Sequence, residues 1–194
     1  GHFASAVSGG NLYRKSSFLL DSIGQQVFAP DIQILELPHL HKGLASSAFD
    51  DDGVATVERK IVENGIVQGY FLSSYSARKL GLRTTGNAGG THNLIMQNAA
   101  PMRFDALLKK MGTGLLVTEL MGHGINAVTG DYSRGASGFW VENGAITYPV
   151  EEITIAGNLK DMFRGILAIG DDVIVRGSKQ CGSVLIDRMT IAGG

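Results

Sequence analysis

Six side chains in this sequence can bind a transition metal or attack a carbonyl group: His2, His39, His41, His92, His123 and the one cysteine, Cys181. Their spacing narrows what they can do. A helix-borne zinc peptidase site needs two histidines one turn apart and a glutamate beside the first to take a proton from water. No histidine here is followed by glutamate. His39 and His41 follow Pro38 and are two apart, so on extended backbone both rings fall on one side. They read either as a weak metal pair or as two loop histidines facing water. Cys181 lies in Lys179-Gln180-Cys181-Gly182-Ser183, at the entry to a predicted strand. A nucleophilic cysteine needs a base or an electropositive setting to form thiolate. The fold would have to bring His92 or His123 to it; otherwise it is a buried, inert thiol.

Other polar clusters are less specific. Asp50-Asp51-Asp52-Gly53 resembles the start of a calcium loop but lacks the closing glutamate, and it reads as a solvated turn. Gly112-Thr113-Gly114 and Gly122-His123-Gly124 complete no phosphate-binding fingerprint. The loop Gly86-Asn87-Ala88-Gly89-Gly90-Thr91 either covers a cleft or connects strands. Asp131 to Gly138, with Arg134 at its centre, either presents donors to a ligand or forms a β-corner.

The elements that must position these groups are mostly strands. Asp31 to Leu37 alternates and stops at Pro38. Val54 to Val62 and Ile66 to Leu72 form a hairpin around Asn64-Gly65, a dipeptide that tolerates positive φ at both turn positions. Asn143-Gly144 closes a second hairpin between Phe139-Trp140-Val141 and Ala145 to Tyr148. The repeated Glu-Asn-Gly turn reflects either duplication or shared turn chemistry. Helices are few: Ser74 to Leu80, ended by Gly81, and a second opened by Pro101 with Phe104, Leu107, Leu108 and Met111 on one face. A third is predicted from Asn158 to Ile169, with Leu159, Met162, Phe163, Ile166 and Leu167 as its stripe. Closing strands are predicted over Asp172 to Arg176 and Gly182 to Ile191. The fold class expected is α+β, predominantly antiparallel β, with a barrel-like or sandwich core.

Composition agrees with this and excludes several functions. The chain has 194 residues, enough for one domain. Its 27 glycines, about twice the usual share, mark many tight turns. The 17 basic and 18 acidic residues leave a net charge of -1, without the basic footprint of a nucleic-acid binder. No apolar run is long enough to span a membrane. A lone cysteine excludes an internal disulfide and a multi-cysteine zinc site, so a reducing setting is expected. The chain opens at Gly1 without methionine and reads as part of a longer protein, with Gly1-His2 either native or tag residues.

Several stretches together carry a resemblance. They include Tyr13-Arg14-Lys15-Ser16-Ser17-Phe18-Leu19, Ser74-Tyr75-Ser76-Ala77-Arg78-Lys79-Leu80-Gly81 and Thr129-Gly130-Asp131-Tyr132-Ser133-Arg134-Gly135-Ala136. Gly138 to Gly144, Ile153 to Met162 and Cys181-Gly182-Ser183-Val184-Leu185 complete the set. In order and over residues 1–194, they resemble the C-terminal domain of the TldD/PmbA family, in its PmbA (TldE) branch, with the N-terminal domain absent. The resemblance implies a cytoplasmic, heterodimeric metalloprotease, also described as a modulator of DNA gyrase, that matures peptides and degrades an antidote protein. It implies a strand-rich, barrel-like core.

The family's metal is implied to sit in the TldD-type subunit, on a His-Glu-x-x-x-His helix and a later cysteine. Carried onto this sequence, His2 falls near the first histidine, Phe3 replaces the glutamate, and Ala6 or Val7 stands for the second histidine. Cys181 falls on the family cysteine. Two donors without a base are too few for a catalytic zinc, which usually has three protein ligands. The resemblance therefore implies no catalytic, cofactor or metal residues in this chain, with zinc in a TldD-like partner. The implied partners are that subunit and unfolded peptides, with a homodimer when alone. The alternatives are a stand-alone hydrolase using Cys181, or a non-enzymatic module that binds gyrase or an antidote.

Overall fold

A computed structural model describes residues 1–193. Two antiparallel-rich sheets dominate it, and they do not close into a barrel. The first has the order β3-β2-β1-β4-β9, built from β1 (Ile32–Leu37), β2 (Arg59–Glu63), β3 (Ile66–Val67), β4 (Asn93–Asn98) and β9 (Lys179–Gln180). Only β9 runs parallel to its neighbour. The second has the order β11-β7-β6-β5, from β5 (Gly114–Met121), β6 (Asp131–Glu142), β7 (Ala145–Asn158) and β11 (Thr190–Ala192). A two-stranded ribbon joins β8 (Ile166–Ile169) to β10 (Val184–Ile186). The expected α+β, mainly antiparallel class is therefore present, and its barrel-like variant is not.

β1 shows why the first sheet packs as it does. Ile32, Ile34 and Glu36 are buried while the residues between them are half-buried, the period-two pattern of a strand with one face against a core. In register, Ile34 faces Met96 and Glu36 faces Leu94 on β4. Both Asn-Gly turns form, with φ of 51° and 76° at Asn64 and Gly65 and of 51° and 75° at Asn143 and Gly144. The first hairpin is shorter than predicted; the second is much longer and takes Asp131 to Gly138 into β6 rather than into a corner.

The helices α3 (Ser74–Leu80) and α4 (Phe104–Met111) fall where the spacing puts them. The Ser73 and Ser76 side chains cap α3 reciprocally, and Gly81 ends it at φ 67°. Two short helices, α1 (His2–Ala6) and α2 (Gly9–Tyr13), occupy the N-terminal stretch; residue spacing predicted neither, and α1 lies where the resemblance carries the family's His-Glu-x-x-x-His helix.

The predicted helix from Asn158 to Ile169 is corrected. The Asn158 side chain does accept from the Lys160 N–H at 3.0 Å, but the helix, α5 (Leu159–Arg164), stops at Gly165. A Cβ at Gly165 would lie 2.2 Å from the Asp187 carboxylate, so a larger residue at this turn would have to displace Asp187. Ile166 to Ile169 then pair with β10 instead of extending the stripe. The closing strands differ too. Val173, Ile174 and Val175 are exposed and outside any strand, while the second splits between β10 and β11.

The core runs between the helices and the inner faces of both sheets. Phe3, Val7, Phe28, Ile32, Ile61 and Leu159 meet Tyr132, Ala136, Ile153 and Ile155 there. No helix among the described residues is long and apolar enough to cross a membrane.

Candidate functional site

Elements distant in sequence converge on an open cavity of about 460 Å³. Its floor is the inner face of β1 and β4, through Ile34, Leu94 and Met96. One wall is aromatic: Phe3 meets Phe28 edge-on at 5.0 Å, and Phe28 stacks on Phe163 at 4.6 Å. Met162, Ile166 and Ile186 continue the apolar lining. Gly1, His2, Lys179, Gln180 and Cys181 also line it. The two positions assigned by resemblance, His2 and Cys181, are thus brought to one place.

Their chemistry there is not that of a metal centre. Phe3 is 7% exposed and forms part of the aromatic wall, and Ala6 and Val7 are buried. His2 is held below its usual pKa first by partial desolvation, and the positive charge of Arg134 adds to this. Burial pushes the Cys181 thiol up to about 11. At pH 7 only about one molecule in 10⁴ would carry thiolate, the form that attacks a carbonyl group. Lys179 adds positive charge to the lining, and no carboxylate does the opposite. Among the described residues, no group of three or more His, Cys, Asp or Glu side chains is placed to hold a metal ion. The residues present do not fit the family's metal, and no step through it is assigned to this chain.

The other sequence candidates lie elsewhere. His39 and His41 are exposed, and His39 Nε2 meets Thr56 Oγ1 at 3.0 Å. His123 is exposed between β5 and β6, and neither it nor His92 lines the cavity. Asp50 is not the solvated residue expected: it is buried, and its carboxylate accepts from the N–H groups of Asp52, Val54 and Ala88 at 2.9 to 3.0 Å.

One polar cluster was missed. Glu36, 1% exposed, occupies the same face of β1 as Ile34. Its carboxylate accepts from Arg59 at 2.6 Å and from Asn87 Nδ2 at 2.7 Å, and it meets His92 Nδ1 at 3.0 Å. The Gly86–Thr91 loop supplies Asn87, so this loop completes a buried ion cluster at the end of the cavity floor. A charged residue at a core-facing position of an alternating strand was the available signal.

The pattern of the PmbA/TldA metallopeptidase C-terminal domain matches residues 1–193. The chain belongs to the PmbA/TldD family. It is 58% identical over 193 residues to the metalloprotease PmbA of Escherichia coli O157:H7, covering 100% of this chain and 43% of that protein. It is 59% identical over 192 residues to the PmbA homologue of Haemophilus influenzae, covering 99% and 43%. Identity to the TldD homologue of the same organism is 27% over 170 residues, covering 81% and 35%. The crystal structure of a candidate DNA-gyrase modulator from Thermotoga maritima superposes with a TM-score of 0.90 at 38% identity, over 98% of this chain and 46% of that one. This PmbA/TldD-family chain thus spans less than half the length of these relatives.

Proposed function

We propose that the protein is the PmbA-type, non-catalytic subunit of a two-subunit metallopeptidase acting on unfolded peptides. In this reading a TldD-type partner supplies zinc and hydrolysis, and this subunit completes the peptide path. The observation that carries it is the cavity that brings His2 and Cys181 together while Phe3, Ala6 and Val7, the positions that the resemblance gives to the base and the second imidazole, are buried apolar side chains. The higher identity to PmbA proteins than to a TldD homologue supports the same branch. The cytoplasm is its proposed location, and a homodimer its proposed state when the partner is missing.

The test is to purify the full-length protein alone and with a TldD-type subunit, measure zinc in each, and follow cleavage of an unfolded peptide. The expected result is cleavage and zinc only when the TldD-type subunit is present, with cleavage increased by this protein. Cleavage by this protein alone, abolished by Cys181→Ala, would reverse the assignment in favour of the stand-alone hydrolase.

A further inference from the structure

Positive charge is unevenly placed along this chain. Residues 1–20 and 64–102 contain Arg14, Lys15, Arg78, Lys79 and Arg83 and no aspartate or glutamate; all 18 acidic residues lie elsewhere. The net charge of -1 is thus a positive pole balanced by negative charge in the rest of the chain. The same two stretches supply α1, α2 and α3, and α2 packs against both of the others. All five cations are exposed, and among the described residues none has a carboxylate within ion-pairing distance. Two of them are tied to the surface. The Arg14 guanidinium lies 5.3 Å from the centre of the Tyr13 ring and donates to Tyr13 Oη at 3.2 Å and to Asn11 Oδ1 at 3.3 Å. The Lys79 ammonium lies 5.6 Å from the centre of the Tyr75 ring. The two rings meet edge to face at 5.8 Å, which joins both cations into one unit across α2 and α3. Arg78 lies three residues after Tyr75 on α3 and so shares the face that carries Tyr75 and Lys79. Asp52 borders the unit, with its carboxylate on the Ser74 N–H at 2.9 Å in the first turn of α3.

We infer that this helical face is a docking surface for an acidic segment of a partner protein. Side-chain carboxylates of the segment accept from the Arg14 guanidinium and the Lys79 ammonium, and Arg78 lengthens the positive track. Arg14 has N–H donors to spare beyond the two that Tyr13 and Asn11 engage. Because those two bonds already order its side chain, little further ordering is needed when a carboxylate binds. Nucleic acid fits less well. Arg14 and Lys79 lie over ring faces on which a base would stack. The negative remainder of the chain also opposes a long polyanion or an anionic membrane more than it opposes a short segment, which feels mainly the charges within a Debye length. The inference stands apart from the subunit role proposed above, since it needs neither zinc nor cleavage.

The test titrates the full-length protein into a rhodamine-labelled, end-blocked peptide, Gly-Ser-Glu-Glu-Ser-Glu-Glu-Ser-Gly, and into its counterpart with glutamine in place of every glutamate, followed by anisotropy. At about 50 mM salt the glutamate peptide is expected to bind at least about tenfold more tightly, and the advantage should shrink severalfold at about 200 mM. Arg14→Gln combined with Lys79→Gln erases the advantage; Lys79→Glu alone serves if the double variant does not fold, as judged by circular dichroism and melting. Lys160→Gln, which removes a cation outside these stretches, leaves both peptides bound as before. Equal affinities for the two peptides overturn the inference, which is also the result if another part of the full-length chain covers this face. An advantage that survives the Arg14 and Lys79 changes, or that Lys160→Gln reduces as much as they do, overturns it as well. Oligothymidylate of equal charge, and vesicles of equal parts phosphatidylcholine and phosphatidylserine, are titrated alongside. Tighter binding of either, lost in the same variants, would give the surface to that anion and overturn the acidic segment as its occupant.

Discussion

Modification of Cys181 across a pH series separates a silent thiol from a nucleophile. Burial raises this thiol to about 11. A cysteine in unfolded chain titrates near 8.5, so at pH 8 about a quarter of it is thiolate, against about 0.1% at the raised value, a ratio of about 240. The more basic thiolate is intrinsically the better nucleophile, by about tenfold over this gap for a Brønsted slope of about 0.4–0.5. The folded protein should therefore react about 20-fold more slowly at pH 8 than the urea-unfolded chain, before any effect of access. The shape of the profile is independent of access. Modification by methyl methanethiosulfonate, followed by intact mass, should rise about tenfold per pH unit from pH 7 to about 10 without levelling off. A plateau at or below pH 8.5 would refute the reasoning. It would mean that something in the site stabilises the thiolate, and Cys181 would again be a candidate nucleophile.

Three further outcomes follow from the packing. Glu36→Ala strands Arg59, Asn87 and His92 around an emptied buried position; the expected loss is about 3–5 kcal/mol, or about 6–20 °C in Tm for a chain of this size. A calorimetric loss below about 1 kcal/mol would show that these groups find water instead. Gly65→Ala combines a positive φ of 76° with a Cβ 2.4 Å from the Ala29 carbonyl, whereas Gly81→Ala has φ 67° and open space. Urea titration should show Gly65→Ala costing well over 2 kcal/mol and Gly81→Ala about 1 kcal/mol; equal losses would contradict the close approach. Burial would raise Asp50, but the N–H groups of Ala88, Val54 and Asp52 hold it below its usual range; burial would also raise Asp172, and the Ser183 hydroxyl and N–H hold that one low. Since both folded values are depressed, their contribution is complete above about pH 4 and is lost as pH falls through them. The acid limb of the urea midpoint should accordingly be flatter in Asp50→Asn and Asp172→Asn, and an unchanged limb would count against these bonds.

What could be read from the sequence depended on how local each feature is. Turns carry their own chemistry, so Asn64-Gly65, Asn143-Gly144 and the Gly81 helix stop formed as expected. The stripe from Leu159 to Leu167 misled because Leu159, Met162 and Phe163 satisfy a helix, while Ile166 satisfies both a helix and a strand. Pairing with Val184 to Ile186, distant in sequence, decides between them. Val173-Ile174-Val175 has every local mark of a strand and finds no neighbour. For the same reason the convergence of His2 with Cys181 was accessible only through family resemblance: α1 and the end of β9 are brought together by tertiary packing alone. The Glu36 cluster also depends on a bulge that sets Glu36 opposite Arg59 after Ile34 opposite Val62, a register that no spacing rule predicts.

The two halves of the sheet face explain one another. Glu36 sits in register with Leu94, and Ile34 with Met96, so the ion cluster and the cavity floor are consecutive pairs on the same two strands. Buried charge tied down by Arg59, Asn87 and His92 fixes where β1 and β4 lie, and with them the floor under Phe3 and Cys181. By family resemblance the place of Phe3 belongs to a glutamate. Replacing a carboxylate with a phenyl ring, and an imidazole with a methyl or isopropyl group, exchanges affinity for a cation for apolar volume in the same spot. A vestigial site under no constraint would be expected to fill in or to open to polar substitutions. This one keeps an aromatic wall of Phe3, Phe28 and Phe163 over a firm floor of Ile34 and Met96.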